Sequence, residues 1–150
     1  MPKQLKVLFS TLLILIPVFV IAARQVSSET SVLGFWKADA KTLTIEIYKN
    51  GPEYRARLIS FTDHHNATPS ALRKDDNNPN PALRNRYMIG MDVLHGLAYN
   101  KANGKWVDGK IYDAKSGREY SADLEMSNGK LFVRAYKGFT VFGKTLSFHR

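Results

Sequence analysis

Between Asp75 and Arg86 the chain reads Asp-Asp-Asn-Asn-Pro-Asn-Pro-Ala-Leu-Arg-Asn-Arg, the densest run of residues capable of recognition chemistry. Asparagine amides satisfy backbone groups, prolines fix an extended path, and a guanidinium presents planar donors that match a carboxylate or phosphate. Asn77, Asn78 and Arg84, joined by Tyr112 and Arg134, are therefore the candidate polar contacts to a ligand. The same loop suits a second role, with the asparagines holding backbone and Arg84 clamping one end of a fold, and the sequence leaves both open. Asp75 and Asp76 form an acidic pair, but adjacent carboxylates in an asparagine-rich loop usually cap turns or stay solvated.

Other chemistry is thinly supplied. His64 and His65, with Asp63 and Asn66, have poor metal spacing, because neighbouring side chains on extended chain point apart and no histidine three or four residues away completes a set. No metal or other cofactor is expected. His95, on the apolar side of a strand pattern, reads as a hydrogen-bonded core histidine. The absence of cysteine excludes thiol chemistry, disulfides, cysteine-type zinc sites and a lipid-modified N-terminal cysteine. No nucleophile elbow or comparable motif is present, so binding without catalysis is the leading reading. The alternatives are an enzyme acting on cell-envelope material and a structural or partner-binding envelope module.

The compartment follows from the start of the chain. Lys3 and Lys6 precede an apolar run from Val7 to Ile21, then Ala22 and Ala23 before polar Arg24. This is the pattern of a secretory signal over residues 1–23, with a second cleavage site conceivable after Ser28. The run is about fifteen residues and is broken by Pro17, short of the roughly twenty that span a bilayer, so residues 24–150 are expected as one soluble, secreted or periplasmic domain. The net charge is +9 and falls to +7 without Lys3 and Lys6. The basic residues are scattered and interleaved with acids such as Asp108, Asp123 and Glu125, which reads as a solvated surface and not as a nucleic-acid face.

From Val32 onward apolar residues alternate with period two. Leu43, Ile45 and Ile47 give one strand, Asn50-Gly51-Pro52 a turn, and Tyr54 to Phe61 the return with a parity slip at Leu58 and Ile59. A long strand is expected over Tyr87 to Tyr99, with Tyr87, Ile89, Met91, Val93, His95, Leu97 and Tyr99 on one face. Trp106 to Asp113 and Arg118 to Met126 flank a four-residue turn, and Leu131 to Tyr136 and Lys144 to His149 complete about eight strands, counting Gly34 to Lys37. An all-β, up-and-down antiparallel barrel removes the edges of such a meander, with a two-sheet sandwich as the alternative. Residues 62–86 form one long loop with a helical turn near Ser70 to Arg73. Tyr87, Tyr99, Tyr112, Tyr120, Phe132 and Tyr136 could line a cavity, although small barrels also fill themselves with such side chains. Trp106 and Tyr112 have opposite parity to Val107 and Ile111, which would require a bulge for a shared interior.

The run Asn77 to Arg84, with Leu94-His95-Gly96-Leu97, Trp106 to Asp113, Ser116 to Tyr120, Leu131 to Tyr136 and Phe142 to Thr145, resembles the secreted bacterial family known as domain of unknown function 2147. Relatives commonly carry cysteines in the second hairpin and a tryptophan where Phe148 stands. The resemblance implies localisation and fold, and no activity. Gly34-Phe35-Trp36 also resembles the opening of lipocalin-like barrels, which implies that Trp36 plugs a barrel end beneath an arginine, Arg150 or Arg134. The expectation is a lipocalin-like barrel binding a small amphipathic or anionic ligand.

Overall fold

The structure is a computed structural model that describes residues 27–40, 43–62, 68–138 and 143–150. The segment read as a signal, residues 1–23, lies outside the described residues. The strands are β1 (Gly34–Ala38), β2 (Leu43–Asn50), β3 (Glu53–Phe61), β4 (Asp92–Asn100), β5 (Lys105–Asp113), β6 (Arg118–Ser127), β7 (Lys130–Tyr136) and β8 (Lys144–His149). Each pairs antiparallel with the next, and β8 returns to β1 through Lys37 with His149 and Ala38 with Phe148. The eight strands form a closed barrel, not a sandwich. On the outside of the closing seam, Asp39 accepts from Lys130 Nζ at 2.8 Å and pairs with His149 Nδ1 at 2.5 Å, and Lys130 foremost holds its carboxyl far below the usual range.

Local residue chemistry sets the barrel's turns and bends. Asn128 and Gly129, both at positive φ, make the two-residue turn whose twist matches that of the strands it joins. The register shifts between β2 and β3, twice between β3 and β4, and between β5 and β6, and two of these places are bulges at positive φ, at Gly96 (φ 72°) in β4 and Asp108 (φ 63°) in β5. Each is held by a carboxylate from a neighbouring strand: Gly96 N–H donates to Glu53 Oε2 at 2.8 Å, and Asp108 N–H to Asp123 Oδ1 at 3.2 Å. As a result Leu94 and Leu97 are both buried, as are Trp106 and Gly109. A Cβ on Gly109 would sit 2.5 Å from Leu97, so the glycine gives that leucine its room across the barrel.

Two expectations are corrected. The long strand begins at Asp92 and not at Tyr87, which is exposed on the loop, and its parity breaks at Gly96. His95 is consequently on the outer face, partly exposed, with Nε2 3.0 Å from Glu119 Oε1. Unbroken alternation had placed it in the core.

One end of the barrel, the base, gathers the start of β1, the end of β8 and the β2–β3, β4–β5 and β6–β7 turns. Its interior holds Trp36, Tyr54 and Trp106, with Tyr54 edge-on to Trp106 at 6.1 Å and Tyr99 tilted against it at 5.1 Å. Residues Ser27 to Leu33 seal this end. Trp36 Nε1 donates to Val32 O at 2.7 Å, and the Tyr99 hydroxyl donates to Ser27 O. Glu29 accepts from Tyr54 Oη at 2.8 Å and from Lys49 Nζ at 2.6 Å. The Arg150 guanidinium lies 4.5 Å from the centre of the Trp36 ring, while its Nη2 donates to Ser31 O at 2.9 Å and Leu33 O at 3.1 Å. The last residue thus ties the sealing segment to the first strand. Arg150→Ala should lower stability by about 1 to 2 kcal/mol in urea unfolding, and Arg150→Lys should recover less than half of that, because an ammonium cannot both stack on the indole and bond two diverging carbonyls. An unchanged midpoint for Arg150→Ala would remove this residue from the closure.

Candidate functional site

The opposite end, the mouth, is where β1–β2, β3–β4, β5–β6 and β7–β8 connect, and the long β3–β4 loop leaves from it. Inside this loop Asp75 is fully buried. A buried carboxylate costs several kcal/mol unless its charge is met, and here four donors meet it. Tyr112 Oη donates to Oδ1 at 2.7 Å, while Oδ2 accepts from Asn78 Nδ2 at 2.7 Å, Arg86 Nε at 3.0 Å and Arg86 Nη2 at 2.8 Å. The backbone makes the same connection: Asp75 N–H donates to Arg86 O at 3.1 Å, Met88 N–H donates to Arg73 O at 2.9 Å, and Lys74 bridges Tyr87. A two-stranded ladder therefore runs along the loop, with the carboxylate and guanidinium locked together at its end.

The neighbouring residues extend the lock. Asn78 bonds Asp75 through its side-chain amide, while its Oδ1 accepts from Asn80 N–H at 2.9 Å and its carbonyl from Arg84 Nε at 2.8 Å. Asn77 Nδ2 donates to Lys115 O at 3.0 Å in the β5–β6 turn. There the backbone of Asn77 packs so closely on Gly117 (φ 66°) that a Cβ would fall 2.0 Å from the Asn77 carbonyl oxygen. Asn80 caps a 3-10 turn over Pro81–Leu83, accepting from Ala82 N–H at 3.0 Å. Asp113 starts the β5–β6 turn, its carboxylate accepting from Lys115 N–H and Ser116 Oγ.

Tyr112 neighbours inward-facing Ile111 and so points to the outside of β5, yet it is buried because the loop lies over it. Burial first, and the hydrogen bond to Asp75 second, push its hydroxyl up to about 12. It is a hydrogen-bond donor throughout the neutral range and not a base. Of the polar residues singled out from sequence, Asn77, Asn78, Arg84 and Tyr112 come together around the loop frame. Arg134 does not join them: it stands on β7 between Asp123 of β6 and Thr145 of β8, with Nη1 3.3 Å from Thr145 Oγ1. That outer wall carries an open groove of about 680 Å³, lined in part by Lys105, Glu125, Phe132 and Arg134. The centre of the loop network is Asp75 with Arg86: Asp75, read from sequence as a turn-capping or solvated acid, is instead buried, and Arg86 was not singled out. Their opposite charges at the two ends of one polar run were the available signal.

Phe132, Tyr136 and Tyr87 are also outside the barrel, since Phe132 lines the outer groove, Tyr136 Oη donates to Asp123, and Tyr87 is exposed. Tyr99 is in the base and Tyr120 shares the inward register of Ile111. At the mouth, Leu43, Phe61, Ile111, Tyr120 and Leu146 occupy inward register positions but are only partly buried, in contrast to the fully buried aromatic base. His64 and His65 lie outside the described residues. Among the described residues no group of three or more His, Asp or Glu is placed to hold a metal ion, and no helix is long and apolar enough to cross a membrane.

If the Asp75 cluster is the frame of the loop, Asp75→Asn should cost about 3 kcal/mol or more, because Arg86 loses its counter-charge. Tyr112→Phe should cost about 1 to 2 kcal/mol, with the double variant falling short of the sum. Equal independent costs in a double-mutant cycle would break the network argument. The raised Tyr112 value also has a sign: its contribution is whole below pH 10 and is lost as pH rises to about 12, because the unfolded chain releases the proton first. Unfolding midpoints across this window should fall for the parent chain and fall less for Tyr112→Phe.

The comparisons with known proteins agree with this geometry. No curated protein matches the chain. A solved structure, described as "Protein HP1028 from the human pathogen Helicobacter pylori belongs to the lipocalin family", superposes with a TM-score of 0.66 at 26% identity, covering 79% of this chain and 82% of that one. The barrel is thus lipocalin-like. The model of DUF2147, described as an uncharacterized protein conserved in bacteria, matches residues 34–150, and the chain belongs to that family.

Proposed function

We propose that this protein works in the bacterial envelope, periplasmic or secreted, by binding a small amphipathic ligand at the mouth of the barrel without transforming it. The observation that carries the reading is the gradient along the barrel axis. Trp36, Tyr54, Trp106 and Leu131 are at most 1% exposed at the base, whereas Leu43, Phe61, Ile111, Tyr120 and Leu146 at the mouth keep apolar surface in reach of solvent. A cavity walled by apolar side chains with a few polar groups at its rim is the usual form of a small-molecule site.

The polar contacts divide by availability. Asn77, Asn78 and Tyr112 spend their groups on the loop frame, and the side chain of Arg84 is exposed and, among the described residues, uses only Nε, on Asn78 O. Arg84 is therefore the rim contact for an anionic head group, such as a carboxylate or phosphate. Arg134 belongs to the outer wall and would meet a ligand only there. In this reading residues 1–23 deliver the chain across the inner membrane and are removed.

Native mass spectrometry and solvent extraction of protein purified without detergent should recover one small apolar or amphipathic molecule per chain. Displacement of a fluorescent fatty-acid analogue should then weaken about tenfold in Leu43→Gln/Leu146→Gln, while Arg84→Ala should weaken anionic but not neutral analogues. Failure of every analogue to bind, with nothing extracted, would sink the reading.

A further inference from the structure

Four large apolar side chains are conspicuously exposed among the described residues, and three of them, Leu72, Leu83 and Tyr87, belong to the long loop. They do not lie on slack chain. Leu72 and Leu83 each end a 3-10 turn, over Ser70–Leu72 and Pro81–Leu83, and neither turn buries any residue. The turns are fastened at the ends of the ladder described above: Leu72 directly precedes Arg73, whose carbonyl takes Met88 N–H, and Leu83 O accepts Arg86 N–H at 3.1 Å. The buried Asp75 network holds two leucines and a tyrosine outward, at 59%, 37% and 53% exposure, where a loop shaped only by its own stability would bury them.

The charge around them has one sign. Between Thr68 and Met91 there are four basic residues, Arg73, Lys74, Arg84 and Arg86, against two acids. One of these acids, Asp75, is buried and consumed by Arg86. Lys74 and Arg84 are exposed beside the apolar residues, with Lys74 Nζ 5.9 Å from the centre of the Tyr87 ring. Exposed leucine, tyrosine and basic side chains on one loop are the composition of a segment that lies in the interfacial layer of an anionic bilayer. A second copy of the chain would bring like charges together, since the chain from Arg24 onward carries +7. We propose that this loop docks the barrel, mouth end first, on a membrane surface rich in anionic phospholipid. Leu72 and Leu83 enter the acyl boundary, Tyr87 sits at head-group level, and Lys74 and Arg84 meet lipid phosphates. The proposal stands whether or not the mouth takes a ligand.

The test uses the chain from Arg24 onward, which keeps every described residue and lacks the apolar run at Val7 to Ile21 that would itself bind lipid. It should co-sediment with vesicles of phosphatidylglycerol mixed into phosphatidylcholine, and weakly or not at all with phosphatidylcholine alone. Leu72→Ser/Leu83→Ser should lower the partition roughly ten- to thirty-fold, and Lys74→Gln about fivefold, with unchanged thermal melts. Because the chain has no cysteine, a polarity-sensitive dye can be attached at one chosen site while both leucines remain. A dye on Ala82→Cys should shift to the blue on anionic vesicles, and one on Lys101→Cys, in the turn at the base, should not. Equal binding to neutral vesicles, an unshifted dye at Ala82→Cys, or a leucine-to-serine variant that binds as well as its parent would each overturn the proposal. So would a leucine-dependent dimer in sedimentation velocity with no leucine-dependent vesicle binding.

Discussion

Closing an eight-stranded meander places its two ends side by side, and everything else about this molecule depends on how that seam is held. Among the described residues only Lys37 with His149 and Ala38 with Phe148 pair across it, followed by Asp39 N–H to Ser147 O, so the backbone ladder is short. Side chains complete the closure. On the outside Asp39 gathers Lys130 and His149, an exposed cluster of modest worth. At the base Arg150 does more, because its single guanidinium stacks on the buried Trp36 ring while donating to two carbonyls of the sealing segment. The planar cation is suited to both contacts at once.

The two ends of the barrel answer the same problem with opposite charges. At the base a cation from the chain terminus satisfies backbone carbonyls, and at the mouth the Asp75 anion gathers donors from three side chains. The difference lies in solvent: Arg150 remains exposed, whereas Asp75 is wholly buried. A buried charge tolerates no loss of partner, so the loop between β3 and β4 is ordered by an interaction that is nearly all-or-none. That rigidity separates the loop's frame from its surface. Asn78 and Tyr112 are committed inward, and Leu72, Leu83, Lys74 and Arg84 are left facing water.

Much of the architecture was legible in the chain because period-two alternation and turn residues are local properties. Each of the eight strands was visible, and the register of Leu146 and Phe148 pointed Arg150 toward the barrel end. Alternation showed the breaks at Leu58 and Ile59 and between Trp106 and Ile111, where the register does shift, but not the one in β4 or what holds each bulge. Gly96 was visible as a glycine, but its bulge depends on Glu53, forty-three residues away, and Asp108 needs Asp123 on the next strand. His95 was misplaced for this reason, and the start of β4 because Tyr87 and Met88 pair with Lys74 and Arg73 inside the loop. Tyr112 shows a related limit, since an outward-facing residue is buried only because a distant loop folds over it. The polar loop was conspicuous in sequence, but which of its charges is internal depends on Tyr112, more than twenty residues beyond it, and no local pattern carries that information.

The same buried carboxylate decides what chemistry the loop can do. A Tyr–Asp pair at 2.7 Å has the outward form of a proton-transfer dyad, yet a general base must have a pKa near the working pH and reach a substrate proton. Tyr112 meets neither condition, being pushed up to about 12 and enclosed between β5 and the loop. Asp75 has its oxygens occupied by four donors, two from Arg86, which leaves little capacity for another partner. The cluster's energy is therefore invested in position and not in reaction. Binding at the mouth, or contact at the loop surface, must use the groups that the network leaves out: the partly covered apolar ring inside the barrel and the exposed leucines and basic residues on its rim.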